Sequence, residues 1–173
     1  LFRSSAASDV YKRQDLLNSI EEKTFELTSL SDKIWEAAEV AFREDKSAEY
    51  LIEYAEANGL TIERGLAGMP TAFTASYGKG KPVIGIIGEF DALPGLSQTT
   101  APYRDELIEG GAGHGCGHNL FGTASLGAAI AIKELIEKGS IEGTVKFFGT
   151  PAEEKFFGKL WMIREGVFDD VDI

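Results

Sequence analysis

Between residues 15 and 42, apolar side chains recur near helical spacing (Leu16, Ile20, Phe25, Leu27, Leu30, Ile34, Ala37, Ala38, Ala41), with acids and lysines between them. That period draws one apolar stripe along a long amphipathic helix. A second helix is predicted over 47–57, because Asn58-Gly59 supplies the residue types that end helices. The pattern then shortens. Runs at 61–64, 71–77 and 82–90 are β-leaning and separated by Gly or Pro, so they read as strands. The last of them, VIGIIGEF, is apolar at successive positions and is expected to be buried on both faces. A polar, irregular stretch covers 95–113. A helix rich in small residues comes next over 119–138, then a strand over 143–149 and a final helix over 158–165. Strand, helix, strand in this order implies a crossover unit and an α/β fold whose sheet is at least partly parallel.

The first fourteen residues, LFRSSAASDVYKRQ, carry no sustained period and differ in character from the rest of the chain. They resemble a translated cloning adaptor, with a frayed native terminus as the alternative. The domain is therefore expected to span 15–173. Within it neither a repeat nor a low-complexity linker is found.

Composition narrows the function. At 173 residues and 43% apolar, the chain can build one real core, which removes disordered and collagen-like readings. A net charge of −11 without a basic stripe argues against nucleic acid as a partner. The longest apolar stretches, such as Val83 to Ile87, fall far short of the roughly 20 residues a membrane-spanning helix needs, so no membrane partner is expected. One cysteine cannot form an internal disulfide, and the start of the chain lacks the apolar core of a secretory signal. A reducing cytoplasm is the expected location.

In open α/β sheets ligands bind beyond the carboxyl ends of the strands. Two such ends here are Asp91-Ala92-Leu93-Pro94 and Pro151-Ala152-Glu153-Glu154, and between them His114-Gly115-Cys116-Gly117-His118 precedes a helix. Both histidines and the sole cysteine of the chain lie within those five residues. A thiolate and an imidazole two positions apart can hold a borderline or soft divalent cation; an inert packed thiol or a glycine-rich helix cap is the alternative. Adjacent glutamates are common on surfaces, but at a strand end one carboxylate can ligate a metal while its neighbour handles protons. Asp91 either caps the turn at Pro94 or accepts the free N–H of a ligating histidine. Glu89, on the same side of the strand by alternation, is a weaker candidate for the outer shell.

GEFDALPGLSQ, GHGCGHN and PAEE, in this order and spacing, resemble the aminoacylase and carboxypeptidase-type metallopeptidase family, in its amidohydrolase branch of aminobenzoyl-glutamate hydrolases. The similarity extends from SDKIWEAAEVAF through GMPTAF to REGVFDDVD. It implies a three-layer sandwich of the zinc-exopeptidase type around a mixed, partly parallel sheet, of which this chain is the amino-terminal part, without the lid or dimerisation domain. It implies two divalent metal ions, zinc or manganese, with Cys116, His118 and Glu154 as ligands, Glu153 as general base and Asp91 supporting the site. His114 is expected to line the substrate crevice. The implied reaction is hydrolysis of an amide in N-acyl or N-aroyl amino acids, aminobenzoyl-glutamate among them, or in small dipeptides. The full protein is expected to be a homo- or hetero-oligomer, and the 173 residues alone to be inactive. Asn119 stands where many members carry Asp, and Lys155-Phe156-Phe157 replaces a small, glycine-rich segment, which alters access to the crevice. A non-catalytic binding protein on the same fold is the principal alternative. A redox or metal-storage role for Cys116 lacks a resolving cysteine and leaves the two glutamates without a task.

Overall fold

The computed structural model describes residues 2–173. Two helices, α1 (Phe2–Glu22) and α2 (Thr24–Ala37), occupy the stretch read as one. The Thr24 hydroxyl donates to the Glu21 carbonyl at 2.8 Å and that of Thr28 to the Thr24 carbonyl at 2.8 Å. Such back-bonding competes with the helix ladder and bends it. The break falls at Lys23, whose ammonium pairs with Glu134 at 2.5 Å. Of the expected irregular terminus 1–14, Leu1 lies outside the described residues and the remainder is helical within α1.

Helix α2 ends at Ala38 and does not continue to Phe42. Ala38 is left-handed (φ 43°), and Val40 instead pairs with Ala92 beside the sheet. Helix α3 (Asp45–Ala57) then leads into β1 (Thr61–Arg64), β2 (Phe73–Lys79) and β3 (Val83–Glu89). Helix α4 (His118–Glu137) crosses over to β4 (Gly143–Thr150), and two short helices complete the chain, α5 (Glu153–Phe156) and α6 (Gly158–Arg164). The sheet order is β1-β2-β4-β3. The first two pairings are antiparallel and β4 with β3 is parallel, so the sheet is mixed as expected.

Consecutive residues of a strand face opposite ways. On one face Phe147 joins Phe73 and Phe90 in a core completed by Ile34 of α2, Leu51 of α3 and Leu126 and Ile130 of α4, all fully buried. On the other, Phe148 packs with Met69 and with Met162 of α6. The result is three layers, helices on both faces of the sheet. Each fully buried phenylalanine contributes roughly 1.5–3 kcal/mol of transfer free energy.

Two expectations are corrected. β3 is not buried on both faces: Ile84, Gly85 and Ile86 are half-buried and Ile87 is 38% exposed. Its strand partner lies on one side only, and its other edge receives just the segment at Asp172 and Ile173, which bonds to Val83 and Gly85. In addition, α4 is long and apolar enough to cross a membrane by length and composition, but over half of it is buried against the sheet and its helical neighbours. A core helix meets that criterion without a membrane.

Candidate metal centre

Three segments meet at the carboxyl ends of β3 and β4. Asp91 comes just after β3, Glu153 and Glu154 open α5 just after β4, and His118 opens α4. Small residues make the convergence possible. Gly117 turns the chain in the left-handed region (φ 81°) so that α4 begins at His118. Gly122, one turn later, lets α4 approach β3 so closely that an added Cβ would lie 2.5 Å from the Glu89 carbonyl oxygen.

The buried carboxylate of Asp91 organises the centre. Its Oδ1 lies 3.0 Å from His118 Nδ1, and its Oδ2 accepts the Glu154 backbone N–H at 2.9 Å. A carboxylate can only accept, so Nδ1 carries a proton; Nε2 donates to Glu89 when the ring is protonated and presents a lone pair to a cation once that second proton leaves. Nε2 lies 3.0 Å from Glu89 Oε2 and 3.8 Å from Glu154 Oε1. Glu154 Oε1 is buried and accepts no hydrogen bond from any described residue. One donor atom from each of Cys116, His118 and Glu154 lies within 4.8 Å of the others, and the same holds for Glu89, His118 and Glu153. Sulfur, imidazole nitrogen and a carboxylate oxygen without a partner fit a divalent cation of borderline softness. Both triads draw on the same imidazole nitrogen, which has one lone pair. These residues therefore complete one such set, and a second cation would need further ligands.

The electrostatics agree. Burial alone would lower the His118 pKa, but the hydrogen bond and charge of Asp91, joined by Glu89 and Glu154, together raise it above the ordinary imidazole value. Burial would raise that of Asp91; His118 and the Glu154 N–H outweigh it and hold the carboxyl below its usual range. Desolvation pushes the Cys116 thiol up, and the neighbouring Glu154 carboxylate pushes the same way. Negative charge is thus gathered around the buried His118, and a cation would neutralise it.

Every residue expected at the metal is in the cluster. Glu153 and Glu154, however, sit in a one-turn helix rather than at a bare strand end; about 100° of rotation per residue still aims them differently. Glu89, read as an outer-shell candidate, lies within contact of His118 and pairs with Lys159 of α6. His114 is apart from the cluster. Its Nε2 donates to the Ile34 carbonyl at 3.0 Å, and it lines a cavity of about 200 Å3 with Trp35, Leu96 and Leu107. Burial lowers its pKa. Asn119 donates to Ser31 Oγ at 3.0 Å. Phe156 stacks on Phe42, ring centres 5.1 Å apart, and together with Val40, Leu93 and Pro94 it walls a cavity of about 270 Å3 that Glu154 also lines. A larger concavity of about 950 Å3 opens at the opposite end of the strands, around Tyr77–Lys81 and Gly143, away from these groups.

One residue of the centre carries no sequence signal. Glu44 is fully buried, and its Oε1 accepts the Ala152 N–H at 2.8 Å. Burial pushes its carboxyl up to about 7, against the backbone N–H groups of Glu44, Ala152 and Phe42, and the charge of Asp91 adds to the rise.

The sequence pattern of peptidase family M20/M25/M40 matches residues 85–173, the half of the chain that carries Asp91, Cys116, His118 and the glutamate pair. The chain belongs to this family. Among curated members it is 47% identical over 165 residues to a subunit of the p-aminobenzoyl-glutamate hydrolase of Escherichia coli, covering 95% of this chain and 34% of that protein. It is 30% identical over 182 residues to the Xaa-Arg dipeptidase of mouse, covering 98% of this chain and 38% of that protein. Among solved structures, a dinuclear metal-binding peptidase of the M20 family from Bacillus subtilis superposes with a TM-score of 0.68 at 27% identity, over 84% of this chain and 40% of its own. The chain thus spans about a third of the length of these curated relatives. The match to this M20 structure confirms the expected fold as part of a family catalytic domain.

Proposed function

We propose that this chain is the amino-terminal part of a cytoplasmic, metal-dependent amidohydrolase acting on N-acyl or N-aroyl amino acids, such as aminobenzoyl-glutamate, or on small dipeptides. The observation that carries the reading is the triad of Cys116, His118 and Glu154 with Glu153 adjacent. The substrate class rests on the hydrolase and dipeptidase relatives. The location rests on a single exposed cysteine. Because one relative is by name a subunit, the full-length protein is taken to work as a homo- or hetero-oligomer.

Cys116, His118 and Glu154 would hold one of two divalent cations, zinc or manganese, and further residues of the full-length protein would complete the second. Bound there, the cations supply Lewis acidity toward an amide carbonyl and toward water. The chain's own groups do the rest. Asp91 fixes the His118 tautomer and, through the Glu154 N–H, the start of α5. Glu153 takes a proton from the attacking water and delivers it to the leaving nitrogen as the C–N bond breaks. Leu93, Pro94 and Phe156 place an apolar wall beside Glu154, on which the acyl or aroyl part of a substrate can pack.

Exchanging each glutamate for glutamine in the full-length protein tests the division of labour. Glu153→Gln should keep its metal and lose turnover by at least about 100-fold, the usual scale of a missing general base. Glu154→Gln should lose metal first. Near-normal hydrolysis by Glu153→Gln would refute the assignment.

A further inference from the structure

Glu44 lies 47 residues before Asp91 and over a hundred before the glutamate pair, yet its carboxylate is enclosed beside both. Enclosing a carboxylate is costly unless it answers specific partners. Beside the nearby N–H groups of Glu44 and Phe42, it has two partners distant in sequence. Oε1 accepts the Ala152 N–H at 2.8 Å, and Oε2 lies 3.4 Å from the buried Thr71 hydroxyl. Ala152 is the residue immediately before Glu153, is itself fully buried, and adopts φ 58°, a left-handed backbone that a residue with a Cβ rarely takes unless its surroundings impose it. Its carbonyl accepts the N–H groups of Phe156 and Gly158 at 3.2 and 3.3 Å, so α5 hangs from this one residue.

Glu44 is itself anchored. Its carbonyl starts α3 by accepting the Ala48 N–H at 2.8 Å. Nearby, the Glu39 carboxylate accepts the Ser47 N–H and hydroxyl at 2.8 and 2.9 Å, and the Glu39 carbonyl accepts the Ala92 N–H at 2.8 Å, directly after Asp91. The segment between α2 and α3 therefore grips the residue after Asp91 and the residue before Glu153 at once.

We infer that Glu44 is a positioning residue for the reaction: by accepting the Ala152 N–H it imposes the left-handed turn that aims Glu153 and Glu154 into the metal centre. The inference rests on the proposed roles of those two glutamates. Glu44 itself makes no direct contact with substrate or cation.

The test compares Glu44→Ala, Glu44→Gln and Glu44→Asp in the full-length protein. Three quantities are read: hydrogen–deuterium exchange at the Ala152 amide in metal-free protein, zinc affinity against a chelator, and kcat and KM for amide hydrolysis. Glutamine retains an acceptor oxygen at the same reach, whereas aspartate keeps the charge and withdraws it by one methylene. Glu44→Ala and Glu44→Asp should speed exchange at Ala152 and weaken zinc binding by about fivefold to tenfold each, the scale of one lost hydrogen bond. In both, kcat should fall with KM little changed, and Glu44→Gln should restore all three readouts. If Glu44→Ala does not fold, the Gln and Asp pair carries the comparison. Unchanged exchange at Ala152 in Glu44→Asp would overturn the inference, as would faster exchange with undiminished zinc affinity, or a glutamine variant as impaired as the aspartate one. Should the wild-type protein hydrolyse no amide, the proposed function fails, while exchange and zinc affinity still decide the part played by Glu44.

Discussion

Replacing Asp91 with asparagine tests the organisation of the centre with a change of almost no volume. Two donors face this side chain, His118 Nδ1–H at 3.0 Å and the Glu154 N–H at 2.9 Å. Asparagine offers one acceptor oxygen and one NH2 group, so one donor must then meet another donor. Asp91 is only 1% exposed, and water has little room to mediate. The Asp91 carbonyl oxygen, 3.1 Å from Nδ1, can keep the imidazole proton in place. The tautomer then survives, and the loss is one charge-assisted hydrogen bond plus the negative charge that makes Nε2 a stronger donor. A hydrogen bond to a charged group is worth about 1.5–3 kcal/mol, which corresponds to roughly 10- to 100-fold in affinity. Removing the partner of a ligating histidine has the same usual cost. Titrating the metal-free full-length variant with zinc against a chromophoric chelator, alongside circular dichroism to confirm its fold, should show that loss. A folded Asp91→Asn protein with zinc affinity within about threefold of wild type would refute the claim that this carboxylate orients the ligands.

Cys116→Ser should weaken zinc binding by about tenfold or more, because a hydroxyl is a poorer and far less ionised ligand than a thiolate; metal analysis showing unchanged stoichiometry and affinity would make Cys116 a bystander. The pH dependence of stability derives from Glu44, whose carboxyl goes from 4.5 to about 7 on folding. The folded state therefore binds this proton more tightly, so its contribution to stability is full below about 4.5 and is lost as pH rises through 7. The loss amounts to about 3 kcal/mol at most. In urea unfolding of metal-free protein, Glu44→Gln should gain on wild type by that order between pH 4.5 and 8, and a difference that stays flat across this range would contradict it.

Much of the architecture is legible in the chain. Strand β1 falls where it is expected because Thr61 and Ile62 are β-branched and Gly65 closes the run, and the crossover α4 is bounded by Gly117 and Gly139. What escaped was decided by contacts distant in sequence. Ala37, Ala38 and Ala41 have the highest helix propensity, and nothing local ends α2 at Ala38. The ending is imposed by the Ala92 N–H, which takes the Glu39 carbonyl and draws the chain out of the helix. The same holds for VIGIIGEF: its composition suits a fully covered strand, but composition cannot say on how many sides a strand is paired, and here β4 lies on one side alone.

The centre divides along the same line. Cys116, His118, Asp91 and the glutamate pair stand out because strand ends and rare residue types mark them locally. Glu44 has no such mark. Set in AFREDKSAEY just before a helix, it reads as one more solvated acid among Asp45 and Glu49, of which Glu49 is indeed an exposed partner of Arg64. Its burial is fixed by Thr71, 27 residues away, and by Ala152, 108 residues away. Held by these distant partners as well as by the nearby N–H groups of Phe42 and Glu44, the carboxylate ties together the segments that enclose it. Those segments include the turn leading into Glu153 and Glu154, so the precision of the metal centre depends on a residue that neither periodicity nor motif distinguishes.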